Sequence, residues 1–184
     1  MRPGTLLISQ PFLSDPNFER SVVLICRDEP AEGSFGLVLN RATTLNLGDV
    51  LDLPVAAVAA AALPLYVGGP VEPETLHYLH RRVDLPGAQA LGQEVYWGGD
   101  FEMLLDLLVS GLIAAADLRL FIGYSGWSAG QLAGEIEGQS WIKHAASAGK
   151  VFTLTTDAFW QEILREKGGR FKVLSNYPRD PRSN

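Results

Sequence analysis

The sequence predicts an α+β fold in a single domain. Strand-like runs dominate its first half, and helical patterns enter later without the regular strand–helix beat of a doubly wound sheet. No low-complexity linker divides the 184 residues, a length that buries a real core without disulfide staples. We therefore expect one domain over residues 1–175 and a mobile tail over 176–184, where Pro178, Pro181 and several charges cluster.

The elements follow in order. Thr5 to Ser9 is an almost continuously apolar run of strand length, and Gln10 to Asn17, with Pro11, Asp15 and Pro16, is a loop. Arg20 to Cys26 is apolar and rich in β-branched residues, hence a second strand, and Phe35 to Asn40 is a third. The polar connection between them, with Pro30 in it, predicts a hairpin of open turn type. Asn46 can cap a short helix to Leu51, with Asp49 near its positive end. Val55 to Ala62 has helix propensity but no amphipathic pattern. Leu65 to Val67 and Glu94 to Trp97 are strand candidates ended by glycine pairs. Glu74 to Arg81 alternates as a strand, with Leu76, Tyr78 and His80 on one face.

Asp100 caps the clearest helix, Phe101 to Ser110, which Gly111 can stop. Apolar residues cover most of its circumference, so burial on most sides is expected. Ser140 to Ala146 and Val151 to Thr155 read as strands. Asp157 reads as the cap of a helix over Ala158 to Lys167, stopped by Gly168, with Phe159, Ile163 and Leu164 as its apolar stripe.

Composition narrows the function classes. Hydrophobic content of 47% with 20% charged residues is ordinary for a soluble globular protein. A net charge of −6 argues against a general nucleic-acid surface, because non-specific affinity is mostly phosphate neutralisation. The single cysteine, Cys26, excludes an internal disulfide and a cysteine-cluster zinc site. There is no secretory pattern at Met1-Arg2-Pro3-Gly4 and no apolar run of roughly 18 residues, so a cytoplasmic protein without membrane attachment is expected.

The most function-like stretch is Leu118 to Ile136. It reads as a strand (Leu118 to Ile122), a glycine-rich turn, and a helix with Leu132 and Ile136 on one face. Such a turn can expose backbone N–H groups to an anion or ligand, although neither a dinucleotide nor a P-loop fingerprint is present. Gly126-Trp127-Ser128-Ala129-Gly130 also satisfies G-x-S-x-G, the nucleophile elbow of serine hydrolases. Against this, only His144 follows, the acids between are Glu135 and Glu137 on the adjoining helix, and no HGGG-type oxyanion motif lies upstream. The competing reading makes Ser128 the helix N-cap, with Gln131 completing a capping box. The candidate ligand or partner residues are Gly123, Tyr124, Gly126, Trp127, Ser128, Gly130 and Gln131, to which the loop residues Asp15 and Arg20 are added. No catalytic residue is assigned beyond the alternative nucleophile Ser128.

The other chemistry-bearing residues point elsewhere. On a strand, His77 and His80 lie on opposite faces, so no metal site is expected from them and Glu74. Cys26 ends a buried-type strand and reads as a small core residue. Asp15 and Arg20 bracket a Pro-Asn-Phe loop that an ion pair between them would pin. Tyr66 to Glu72 and Tyr96 to Glu102 share Tyr, a glycine pair and Glu, an echo better read as chance than as a repeat.

The opening Gly4-Thr5-Leu6-Leu7-Ile8-Ser9, Pro11, and Leu13 through Val23 resemble the start of the YqgE/AlgH family. So do Gly36 to Asn40, Gly68-Gly69-Pro70-Val71 with Leu79-His80, and Gly123-Tyr124-Ser125-Gly126-Trp127 running to Gly130-Gln131-Leu132 and Glu135-Ile136. Ser140-Trp141-Ile142 and Trp160 also fall where that family has them. The chain departs from it at Gly33-Ser34-Phe35-Gly36, Arg27-Asp28 and Ala133-Gly134. The resemblance implies a single α+β domain whose mostly antiparallel or mixed sheet is bifurcated and folds towards a pseudo-barrel, with flanking helices. It implies no cofactor and no catalytic set, and the position of Ser128 is often not serine in that family. Some members are named transcriptional regulators. With no helix-turn-helix pattern here, direct DNA binding is unsupported. The expected function is a non-enzymatic regulatory or binding protein acting through an unknown protein or small-molecule ligand, with serine hydrolysis at Ser128 as the alternative.

Overall fold

The computed structural model describes residues 1–153 and 158–178. Among these residues ten strands form one sheet: β1 (Thr5–Ser9), β2 (Val22–Glu29), β3 (Gly33–Val38), β4 (Ala42–Asn46), β5 (Pro64–Val67), β6 (Val71–His80), β7 (Gln89–Gly92), β8 (Val95–Trp97), β9 (Leu118–Trp127) and β10 (Trp141–Ala145). The α-helices of the described residues flank it: α1 (Val58–Ala61), α2 (Phe101–Val109), α3 (Gln131–Glu137), α4 (Ala148–Phe152), α5 (Phe159–Lys167) and α6 (Arg170–Leu174). The main path runs β10-β1-β2-β3-β9-β6-β8-β7. All its neighbours pair antiparallel; the parallel pair is β5 with β9.

The sheet forks at β9. One edge of β9 carries β6, while the other carries β5 opposite Leu120, Phe121 and Ile122 and then β3 opposite Ser125, Gly126 and Trp127. Gly68 sits in the fork. Its N–H donates to Ile122 O, and its carbonyl accepts from the Val38 N–H and the Ser125 hydroxyl. A Cβ at Gly68 would lie 2.3 Å from Gly123 O, so only glycine lets the two branches come this close. At the far ends Gly4 lies against Leu91 of β7. The sheet thus curls towards a barrel without closing, since β7 and β10 end the path.

Curling creates an inner and an outer face, and strand alternation assigns side chains between them. Leu6, Ile8, Val22, Leu24, Leu37, Phe121 and Trp160 share the inner core. Leu7, Val23, Ile25, Val38, Trp127 and Trp141 form an outer layer under α3. Leu65, Tyr78, Leu118 and Leu120 form a second outer layer under α1 and α2. The central strands are therefore covered on both faces, which is why they read as continuous apolar runs.

Strands β1, β2, β3, β5, β6, β8 and β10 and helices α2 and α5 lie where the sequence predicts them, and β2 with β3 is the expected antiparallel hairpin. Gly168, at φ 72°, ends α5 as expected. Four expectations change. Val151 and Phe152 belong to helix α4, capped by Ser147, and Thr153 is its C-cap rather than part of a strand; Leu154, Thr155 and the Asp157 cap lie outside the described residues. Strands β4 and β7 are not expected, being short and without an apolar run, and they pair with β5 and β8. Helix α2 fully buries only Leu104 and Leu108, while Met103 and Val109 are exposed, because it packs by one face on the outside of the sheet. The fourth change concerns the glycine-rich turn and bears directly on the site.

Candidate functional site

The expected strand–turn–helix corner is instead a ten-residue strand. β9 continues through Gly123 to Trp127, and the turn is confined to Ser128, Ala129 and Gly130. Local glycine content predicts a break; hydrogen bonding to β6 and β3 overrides it. Gly123 takes a φ of 64°, and a Cβ there would meet Gly69 O at 2.7 Å and Val71 O at 2.9 Å. On the facing strand, residues 72–75 stand opposite Gly123 alone, between the pairs Val71↔Tyr124 and Leu76↔Ile122. This bulge reverses the alternation. Phe121 faces the inner core before it, Tyr124 packs against the same core after it, and Trp127 turns to the outer layer.

Tyr124 thereby joins an aromatic cluster at one end of the barrel. Its ring stacks on Phe35 with centroids 4.5 Å apart at 22°, and the Trp97 ring lies 4.7 Å from Phe35, tilted 31° to it. His77 meets Phe35 and Tyr124 edge-on at 5.1 and 5.6 Å. The four side chains come from four strands, β3, β6, β8 and β9. They line an open cleft of about 510 Å³, with Gly126 and Val71 beside Tyr124 and with Arg27, Glu32 and Glu72 among the charged side chains of its lining. Gly126 is exposed, and a Cβ there would lie 3.2 Å from the Tyr124 ring, so its lack of a side chain keeps this wall open.

The electrostatics of the cleft follow from its hydrogen bonds. The Thr75 hydroxyl donates to Glu72 O at 2.8 Å, which uses its only proton. The 3.0 Å contact from Thr75 Oγ1 to His77 Nε2 therefore has the imidazole N–H donating, which places the neutral ring's lone pair on Nδ1. Burial lowers the His77 pKa below its ordinary value, so the ring is uncharged at neutral pH.

The remaining candidates have other duties. Trp127 is buried, and its indole N–H donates to Glu135 Oε2 at 2.9 Å, the same oxygen that accepts from Trp141 at 2.8 Å. Gln131 Nε2 donates to Glu135 Oε1 at 2.9 Å. Gln131 Oε1 accepts from both the Ser128 N–H at 3.0 Å and the Ser128 hydroxyl at 3.1 Å. The first of these is the backward half of a capping box, but the N-cap is Gly130 at φ 76°, not Ser128. The Ser128 hydroxyl donates to the Gln131 side chain and accepts no backbone N–H of the first helical turn among the recorded bonds, so the forward half of the box is missing.

No histidine activates that hydroxyl among the recorded bonds of the described residues. His77 bonds Thr75, His80 bonds Gly98 O and the Arg82 N–H, and His144 lies 3.9 Å from Glu166. Asp15 accepts the Asn17 N–H at 2.8 Å, and Arg20 donates to Tyr177 O while lying 5.0 Å over the Trp160 ring. Both sit away from the cleft lining, in the loop that the expected ion pair would have pinned. Cys26 is buried in the inner core, and desolvation pushes its thiol pKa up, so it is a packing group.

Of the predicted site residues, the cleft therefore gathers Tyr124, Gly126 and Trp127. Gly123 shapes it from behind, and Ser128, Gly130, Gln131, Asp15 and Arg20 lie elsewhere. Sequence reasoning missed Phe35, Trp97 and Glu72, and did not place His77 in a ligand cleft. Aromatic residues on separate strands carry no spacing signal until the strands pair.

Comparison with known proteins supports the same architecture. The AlgH-like family model matches residues 6–172. A UPF0301 protein of Cytophaga hutchinsonii is 42% identical over 183 residues, covering 98% of each chain. One from Chlorobaculum tepidum is 39% identical over 185 residues, covering 100% of this chain and 96% of its own. The solution structure of AlgH from Pseudomonas aeruginosa superposes with a TM-score of 0.74 at 26% identity, covering 96% of this chain and 94% of its own. A Corynebacterium diphtheriae crystal structure gives 0.76 at 25% identity, over 96% and 93%. Motifs, fold and relatives agree, and the chain belongs to the YqgE/AlgH family.

Proposed function

We propose that this chain is a non-enzymatic cytoplasmic regulatory or binding protein that recognises a protein or small-molecule partner through the cleft beside Tyr124. One observation carries the reading: Phe35, His77, Trp97 and Tyr124 converge from four strands on an open recess instead of closing over it. Aromatic side chains that keep a wet boundary supply contact area to a ligand at low entropic cost, and the volume suits one. A transcriptional role, as some family names suggest, is then exerted through that partner, in keeping with a net charge of −6. The serine-hydrolase alternative draws no support, because the Ser128 hydroxyl donates to an amide oxygen, which is not a base.

The test is retention of partners on immobilised wild-type and Tyr124→Ala proteins, with mass spectrometry of the proteins and small molecules held. Matched near-ultraviolet circular dichroism establishes that the variant is folded. Loss of a specific partner from the folded variant is the expected result. The same partners retained on both proteins would overturn the assignment of the cleft.

A further inference from the structure

We propose that this cleft takes a small organic cation of the quaternary-ammonium class, seated against the aromatic rings and balanced by Glu32 and Glu72; the inference rests on the cleft being the recognition surface. The rings supply the first half of the argument. Trp97, Phe35 and Tyr124 overlap with tilts of 31° and 22°, and His77 stands nearly perpendicular to Tyr124 at 83°. Phe35 is buried against both neighbouring rings, and the Tyr124 ring, which the bare Gly126 leaves uncovered on the cleft side, offers the π surface that attracts a cation.

Charge supplies the second half. The lining carries the exposed carboxylates of Glu32 and Glu72 against the single guanidinium of Arg27. That leaves an excess of negative charge on a chain of net charge −6. His77 adds no competing positive charge, since its Nε2–H is committed to Thr75 and its ring is neutral. An anionic ligand would meet two carboxylates, and no group of three metal-ligating side chains gathers among the described residues. A quaternary ammonium has no N–H group to satisfy and is weakly hydrated, so ring faces and distant carboxylates suffice to hold it.

The experiment compares choline with 3,3-dimethylbutan-1-ol, its uncharged isostere, by titration into isotopically labelled protein at low ionic strength, followed by NMR. Choline is expected to shift the Tyr124 and Gly126 amides and the Trp97 indole saturably, and to bind at least about tenfold more tightly than the alcohol. The double variant Glu32→Gln/Glu72→Gln, altered only at exposed side chains, should lose several-fold in choline affinity and leave the alcohol unchanged. Equal affinities for the two compounds, or no saturable choline shift in the cleft, would overturn the cation proposal. The partner-retention comparison with Tyr124→Ala reports separately on whether the cleft recognises anything.

Discussion

The indoles of Trp127 and Trp141 donate to one and the same oxygen, Oε2 of Glu135, at 2.9 and 2.8 Å. The rings meet at 79° with centroids 6.0 Å apart, so a single carboxylate on α3 clamps the last residue of β9 to the first residue of β10. Gln131 occupies the other carboxylate oxygen. This explains why Trp127, adjacent to the cleft, works as a structural tie.

Replacing Glu135 by Ala should therefore cost about 2–3 kcal/mol, because two largely buried indole donors lose their acceptor. Glu135→Gln keeps one acceptor oxygen and should cost about 1 kcal/mol. Urea unfolding of the two variants measures both, and equal losses would contradict the shared-oxygen arrangement.

Gly123 and Gly130 have similar backbone angles, φ 64° and 76°, in different surroundings. An added methyl group at Gly123 meets two carbonyl oxygens within 3 Å, whereas at Gly130 it meets nothing within 4 Å. Gly130→Ala should cost about 1 kcal/mol for the left-handed conformation alone. Gly123→Ala should cost about 2–4 kcal/mol and displace Tyr124, which tyrosine chemical shifts will register.

His80 is fully buried and must be neutral, since Nε2 donates to Gly98 O at 2.8 Å and Nδ1 accepts the Arg82 N–H at 3.1 Å. Burial lowers its pKa from the ordinary 6.5, and burial is likewise the leading cause for His77 and His144. A base with a lowered folded-state pKa leaves the unfolded chain binding more protons. Stability from these groups is thus full above pH 6.5 and is lost as pH falls from there towards the folded-state values. Unfolding free energies between pH 7.5 and pH 5 should decline, and His80→Gln should flatten the slope while lowering stability at neutral pH.

Ser128 is exposed and its hydroxyl meets only the Gln131 amide oxygen among its recorded bonds. Ser128→Ala should change stability by no more than about 0.5 kcal/mol. A broad fluorophosphonate probe should leave wild-type Ser128 unlabelled. An adduct at this residue would restore the hydrolase reading.

Much of the fold is legible in the sequence because its signals are local. Thr5–Ser9 and Val22 onwards announce buried strands by their apolar runs, and Asp100 announces α2, where its carboxylate accepts the Met103 N–H at 3.0 Å. The stretch from Val151 misleads, because β-branched and aromatic residues mark strands and buried short helices alike, and Ser147 decides for the helix by capping Lys150. Half of the cleft is legible too: Tyr124 and Gly126 stand out as an aromatic and a glycine in a rich stretch, whereas nothing near Phe35 or Trp97 points to the other.

By itself the sequence determines the family, the α+β class, the single domain and most strands. Each depends on patterns within a few residues or on motifs in order along the chain. Only the tertiary structure decides that β9 runs unbroken through Gly123, that the sheet forks there, and that Tyr124 joins the inner aromatic cluster while Trp127 is buried in the outer layer. The reason is physical. A glycine with φ 64° can end a strand or bulge it, and the choice belongs to the hydrogen bonds that β6, β5 and β3 offer from distant parts of the chain. The bulge at Gly123 reverses the side chains of β9 beyond it, and that reversal brings the four rings together.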